Sequence, residues 1–145
     1  MSVETILAGK GREVRTIAPD ATVGEALRRL RDERVGALVV SADGATIAGI
    51  VSDRDVLHAI ADRGAAALGE AVRSVMTAKV FTCSPGDPVG AIMATMTTRR
   101  IRHVPVVDGD GRLGGIVSIG DVVKHRLDEI GREAEAMREY IGGTW

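Results

Sequence analysis

The sequence contains one unit twice, and this internal repeat restricts the fold more than any other feature. A shift of 66 residues aligns 14–57 with 80–123 without a gap, and 13 of the 44 aligned positions are identical. The best-matched stretches are Gly49–Asp55 and Gly115–Asp121, each a short apolar run followed by Ser-x-x-Asp. Two copies that cannot each close a core are expected to pack on each other around a pseudo-two-fold axis.

Each copy predicts the element order β-α-β-β-α. Short strands are expected at 14–17 and 80–83, and a helix follows each proline that comes after them. Two further strands follow in each copy, at 37–41 and 46–51 and at 103–107 and 113–117. Ser-x-x-Asp then begins another helix. The predicted fold is therefore an α/β fold of two repeats, assigned to 1–64 and 70–125.

The last helix of the second copy is predicted to continue beyond its counterpart, as an extension over 126–145. Apolar residues recur in it at spacings of three and four: Val123, Leu127, Ile130, Ala134, Met137 and Ile141. Such a stripe needs a cover, either from its own domain or from a second subunit. We favour the second subunit and expect a homodimer.

One motif in the second copy imitates a dinucleotide-binding loop. Residues 109–114 match G-x-G-x-x-G, which requires a preceding strand and a following helix. A strand follows here instead, and Asp-Gly between apolar runs is a hairpin signal. The motif therefore predicts a turn.

Composition and charge argue against several classes of function. The net charge is −1 and aromatic residues are 2% of the chain, which disfavours nucleic-acid binding. Nothing resembles a signal peptide or a membrane span, so we expect a cytoplasmic protein without a membrane partner. Cys83 is the single cysteine, and His58 and His125 lack metal-ligand spacing and are expected at the surface. No catalytic constellation is visible, so neither an enzyme nor a metal site is expected.

The motifs together resemble a known family. Val-x-Thr-x-x-Pro occurs in both copies, His103–Asp108 reads His-Val-Pro-Val-Val-Asp, and Gly-Ile-Val-Ser-x-x-Asp closes each copy. This pattern is similar to two tandem cystathionine-β-synthase-type (CBS) repeats, a Bateman module of the short, stand-alone bacterial type. The resemblance implies a regulatory sensor in which adenosine-containing nucleotides occupy clefts between the repeats. AMP is the foremost ligand, with NAD(H) or ATP as alternatives, and an effector protein would respond to the change.

The resemblance also implies which residues bind. The aspartate of Ser-x-x-Asp would hold the ribose hydroxyls, and the serine with nearby cations would meet the phosphate. One cleft would use Thr16, Ile17, Ala37, Leu38, Ser52 and Asp55. The other cleft would use Thr82, Cys83, His103, Val104, Pro105, Ser118 and Asp121. The phosphate candidates, whose cleft the sequence leaves open, are Arg54, Lys79, Arg102 and His103.

Two alternative interpretations stay open at this level. Ser-x-x-Asp is also the spacing of a capping box, so these residues are candidates for helix caps as well as ligand contacts. The module as a whole is also open to a ligand-free structural or interaction role with degenerate clefts. The copies differ at several predicted site positions, for example Arg54 against Gly120 and Ala37 against His103, so the clefts are not expected to be equivalent.

Overall fold

The structure is a computed structural model that describes residues 1–142, so the last three residues of the predicted extension lie outside the described residues. The first repeat contains β1 (Thr16–Ile17), α2 (Val23–Glu33), β2 (Ala37–Val40), β3 (Gly49–Ser52) and α3 (Asp53–Arg63), preceded by α1 (Val3–Lys10). The second repeat contains α4 (Val89–Arg99), β4 (His103–Val107), β5 (Leu113–Ser118) and α5 (Ile119–Gly142). Two short 3-10 helices, Gly64–Gly69 and Val72–Ser74, join the repeats.

The repeats carry two separate small sheets. In the first sheet β1 pairs parallel with β2, and β2 pairs antiparallel with β3. In the second sheet β4 and β5 pair antiparallel. β3 begins at Gly49, later than predicted, because the Asp43 carboxylate accepts backbone hydrogen bonds from Ala45 and Thr46 and holds them in a turn.

The strand predicted at 80–83 is reduced to one bridge, between Cys83 and Val106. In the first repeat the N–H of Val39 donates to the carbonyl of Arg15 at 3.0 Å. The position equivalent to Val39 is Pro105, which has no N–H to donate. The second repeat therefore lacks the corresponding backbone hydrogen bond.

A leading segment precedes each repeat, α1 before the first and residues 72–76 before the second, and each packs into the core of the other repeat. Val3 and Leu7 of α1 belong to the aliphatic core of the second repeat, whereas Val72 belongs to the core of the first. The exchange brings Leu7 against Gly115 and Met76 against Gly49, where an added Cβ would approach a side-chain atom to 2.8 Å and 2.6 Å respectively. The glycine that opens each Gly-Ile-Val-Ser motif is thus required by close packing.

Equivalent contacts relate the repeats by the predicted pseudo-two-fold symmetry. The N–H of Asp53 donates to Gly36 at 3.1 Å, and the N–H of Ile119 donates to Arg102 at 2.8 Å. Asp53 and Ile119 are 66 residues apart in the chain, as are Gly36 and Arg102. The symmetry places the two strand-to-helix junctions on either side of the contact between the repeats.

The helix α5 begins at Ile119 and extends well past its counterpart α3, as predicted. Val122 and His125 of its first turns are buried, but the stripe on the other side of the helix is exposed: Val123, Leu127, Ile130 and Met137. The expectation that His125 lies at the surface is wrong, because the residue is only 9% exposed and lines a small cavity together with Thr5 and Ile6 of α1. His58 is exposed.

Candidate functional site

Both Ser-x-x-Asp sequences cap their helices. The Asp55 carboxylate accepts hydrogen bonds from the backbone N–H of Ser52 at 2.8 Å and from its hydroxyl at 3.0 Å. The second copy repeats the backbone contact, from Ser118 to Asp121 at 2.9 Å. Helix capping is therefore confirmed in both copies. The role of these carboxylates in ligand binding depends on what lies around them.

Asp55 faces a cleft between the repeats, which we call the first cleft. Its space, including the open mouth that belongs to solvent, is about 680 Å³. Thirteen residues from both repeats line it: Ala37, Ile50, Ser52, Arg54, Asp55, Thr77, Lys79, Val80, Phe81, Arg100, Ile101, Arg102 and His103. Seven of these are among the binding residues proposed from the sequence, and they include all four phosphate candidates.

Positive charge dominates the first cleft. Arg54, Lys79, Arg100 and Arg102 line it against a single lining carboxylate, Asp55. The guanidinium of Arg102 also reaches across the repeats to Asp53, at 2.7 Å. This pair offsets the charge of Arg102, so the unpaired cations in the lining are Arg54, Lys79 and Arg100 within residues 1–142, beside the N-terminus of α3. The arrangement suits an anion beside the helix start.

The first cleft contains an aromatic ring that is not among the binding residues predicted from the sequence. Phe81 is the one phenylalanine of the chain and is 41% exposed. The guanidinium of Arg99 lies over its ring, 4.7 Å from the centroid. An exposed ring in a cleft offers a stacking surface for a planar base. The sequence places Phe81 two residues after the phosphate candidate Lys79, within the strand predicted at 80–83.

His103 lies at the centre of the arrangement and lines both clefts between the repeats. Its imidazole packs against Gly36, where an added Cβ would come within 2.9 Å of the ring. Burial lowers the pKa of His103, and the neighbouring positive charge of Arg102 lowers it further. The lowered pKa favours the neutral imidazole.

The second cleft is the pseudo-symmetric counterpart of the first. It is lined by Lys10, Glu13, Arg15, Arg34, Val35, Gly36, Ala37, His103, Ile116 and Ser118. Asp121 is not among these residues, although its counterpart Asp55 lines the first cleft. The ammonium of Lys10 lies against Asp121, with the two joined by an ion pair of 2.6 Å.

Lys10 is not among the binding residues predicted from the sequence, although the repeat indicates it. The leading segments of the two copies align at a spacing of 69, and this spacing pairs Lys10 with the phosphate candidate Lys79. Burial opposes ionisation of Asp121, but hydrogen bonds from Lys10 and from the Ser118 N–H outweigh it and hold the pKa below its usual value.

The remaining proposed residues do not line either cleft. Ile17, Leu38, Cys83, Val104 and Pro105 are buried in the repeats, because β1, β2 and β4 are enclosed between their helices and neighbouring strands. Thr16 lies beside Ile17 at the sheet edge, and Thr82 is exposed outside both clefts. Burial, with a smaller contribution from Asp87, raises the pKa of the Cys83 thiol to about 11, so Cys83 is unsuited to nucleophilic chemistry.

Residues 1–142 contain neither a metal-binding cluster nor a membrane-spanning helix. No cluster of three or more His, Cys, Asp or Glu side chains in this range has the geometry to hold a metal ion. None of the helices in the same range combines the length and apolar character needed to cross a membrane.

Comparison with known proteins connects this geometry to one family. The sequence profile of the CBS domain matches the chain twice, at residues 11–62 and 72–128. A CBS-domain containing protein from Agrobacterium tumefaciens superposes with a TM-score of 0.82 at 45% identity, covering 86% of this chain and 92% of that one. A CBS domain protein from Pyrobaculum aerophilum, solved in complex with AMP, gives a TM-score of 0.74 at 30% identity and covers 83% and 89%.

A curated relative extends beyond the region it shares with this chain. The mitochondrial CBS domain-containing protein CBSX3 of Arabidopsis thaliana is 38% identical over 130 residues. The match covers 87% of this chain and 63% of the plant protein. This chain therefore spans less than two thirds of the plant protein's length.

Proposed function

Because this chain belongs to the CBS-domain family, we propose that it is a regulatory module that binds an adenosine-containing nucleotide in the first cleft. The observation that carries this proposal is the composition of that cleft. A carboxylate on a helix start, four cations and an exposed aromatic ring surround one space between the repeats. These are the groups that a ribose diol, a phosphate and a purine base require respectively.

The ligand orientation follows from these groups. The ribose hydroxyls would donate to the free lone pairs of Asp55, whose Oδ1 is contacted at 3.4 Å by the Thr77 hydroxyl. The phosphate would lie towards Arg54 and Lys79 at the N-terminus of α3. The base would lie against Phe81. AMP matches this arrangement best, and NAD(H) and ATP share its adenosine and phosphate groups.

The mechanism we propose is a population shift between arrangements of the two repeats. The first cleft takes residues 37–55 from one repeat and 77–103 from the other, so a bound ligand contacts both. A ligand that binds one arrangement better stabilises it by the difference in binding free energy. An effector protein would respond to the arrangement. This function needs no catalytic step.

A thermal-shift panel tests the nucleotide-binding proposal. AMP, ADP, ATP, NAD, NADH and S-adenosylmethionine are compared, since a ligand at 100 times its Kd adds about 2.7 kcal/mol to the stability of the folded state. We expect a selective rise that Asp55→Ala reduces. The matched control is Asp62→Ala, an exposed carboxylate on the same helix α3, which should leave the rise unchanged. A flat panel at millimolar nucleotide would favour the ligand-free structural role.

We also propose that two copies pair through the exposed stripe of α5. The argument is that Val123, Leu127, Ile130 and Met137 form one face of the helix and are 46–63% exposed. Leu127→Glu should shift the mass measured by light scattering from a dimer to a monomer. Ala136→Glu adds the same charge on the opposite side of the helix and should leave the dimer intact. A monomeric wild-type protein would contradict the pairing. A cytoplasmic location stays a prediction from the sequence.

A further inference from the structure

The two lysines that follow the leading segments occupy different positions in their clefts. Lys79 lines the first cleft together with Asp55, and no ion pair joins these two residues among residues 1–142. Lys10, its counterpart, donates to the Asp121 carboxylate at 2.6 Å and to the carbonyl of Ile116 at 3.0 Å. Among residues 1–142 the same residue type therefore forms an ion pair with one aspartate and none with the other.

The difference has a structural cause in the backbone. Thr77 forms an extended bridge with Ile50, through reciprocal backbone hydrogen bonds of 2.9 and 3.0 Å. The corresponding part of the first copy is still helical, because α1 continues to Lys10. The carbonyl of Ile116, equivalent to that of Ile50, is consequently left for the Lys10 side chain. The last turn of α1 thus directs the ammonium towards Asp121.

Lys10 separates Asp121 from the second cleft. The lysine lines that cleft on one side, and on its other side it lines a small cavity with Asp121, Lys124 and His125. The two charged side chains are 32% and 22% exposed, so water screens the pair only in part. A ribose diol that enters the second cleft meets the Lys10 ammonium, from which its hydroxyls can only accept, whereas the first cleft presents a carboxylate to which they can donate.

We propose that Lys10 is a specificity-determining residue that closes the second cleft to the ribose of an adenosine ligand by holding Asp121. The inference rests on the proposed function of the first cleft, and it makes the first cleft the preferred adenosine site. Occupation of the second cleft requires the Lys10–Asp121 pair to open. The two sites of one module then fill in a fixed order.

Calorimetric titration with adenosine tests this proposal on the full chain. Adenosine has no phosphate, so a direct attraction between Lys10 and a ligand anion does not enter the measurement. Lys10→Met removes the charge and keeps the aliphatic stem. We expect the second binding event to become about fivefold tighter, the upper end of what a partly exposed ion pair contributes. Lys10→Arg, which preserves the pairing, should behave as wild type.

Two controls assign the effect to the pair. Lys124→Met removes a lysine charge from the same cavity, but among the described residues Lys124 forms no ion pair with Asp121, so we expect wild-type binding. Lys10→Met combined with Asp121→Asn should lose most of the gain. Circular dichroism verifies that each variant is folded.

The outcomes separate this inference from the proposed function. If wild type binds adenosine or AMP and Lys10→Met binds the second equivalent no tighter, Lys10 does not close the cleft and the inference fails alone. A gain of the same size in Lys124→Met would assign the effect to general electrostatics and would also overturn it. If none of the proteins binds adenosine or AMP, the proposed function and this inference fail together.

Discussion

The packing of Gly49 against the second leading segment makes a quantitative prediction about stability. A Cβ at position 49 would lie 2.6 Å from the Met76 sulfur and 2.8 Å from the carbonyl oxygen of Thr77. The Met76 side chain has room to rotate, but the Thr77 carbonyl accepts the hydrogen bond of Ile50 at 3.0 Å. Gly49→Ala therefore displaces backbone and weakens a bridge as well as overpacking a side chain.

The magnitude follows from these two contributions. Overpacking costs about 1–3 kcal/mol, and a weakened backbone hydrogen bond costs about 1 kcal/mol. We expect Gly49→Ala to lower the free energy of unfolding by about 2–4 kcal/mol. Gly115→Ala should cost less, about 1–2 kcal/mol, because its nearest neighbours are the terminal methyl groups of Leu7 at 2.8 and 3.2 Å.

Urea unfolding followed by circular dichroism measures these differences, with all proteins at one concentration so that association does not contribute. Gly86→Ala is the matched control, because no atom lies within 4 Å of an added Cβ at that position. It should stay within about 0.5 kcal/mol of wild type. Equal unfolding midpoints for Gly49→Ala and Gly86→Ala would refute the packing of the exchanged segment.

Two further predictions concern ionisable groups. Cys83 is 4% exposed, and burial raises the pKa of its thiol to about 11. Iodoacetamide at pH ~8 should therefore label Cys83 only after unfolding, with labelling detected by mass spectrometry. Rapid labelling of the native protein would contradict this burial. The pKa of Asp121 is held below its usual value of 3.8, so its ionisation stabilises the folded state above that pH, and the contribution is lost as the pH falls through the lowered value. Lys10→Met should consequently destabilise the protein near neutral pH, and the difference from wild type should shrink towards pH ~2; a difference independent of pH would exclude the ion pair as its cause.

The sequence predicts the parts of this fold that depend on local pattern and on repetition. The alignment of Gly49–Asp55 with Gly115–Asp121 correctly indicates two strand-to-helix junctions, and both form capped helix starts. The long terminal helix follows from its apolar period. Each of these features depends on residues that are close together in the chain, so the spacing of residue types is sufficient to predict it.

Features that depend on distant contacts were not accessible in this way. The equivalence of Lys10 and Lys79 is visible in the sequence, but their different hydrogen bonds depend on where α1 ends and on which repeat it packs against. The shortened strand at Cys83 has a sequence cause in Pro105, yet the missing donor matters only once its partner strand is known. Such consequences require the tertiary pairing.

Titration of AMP into the wild-type protein, with 2′,3′-dideoxy-AMP as the matched ligand, tests the central claim most directly. AMP should give a saturable heat, and Asp55→Ala should weaken it. The dideoxy ligand should bind about tenfold to 100-fold more weakly, because hydrogen bonds to a carboxylate contribute about 1.5–3 kcal/mol. Equal affinities would contradict the ribose contact with Asp55. No heat with AMP at millimolar concentration would contradict nucleotide binding in the first cleft.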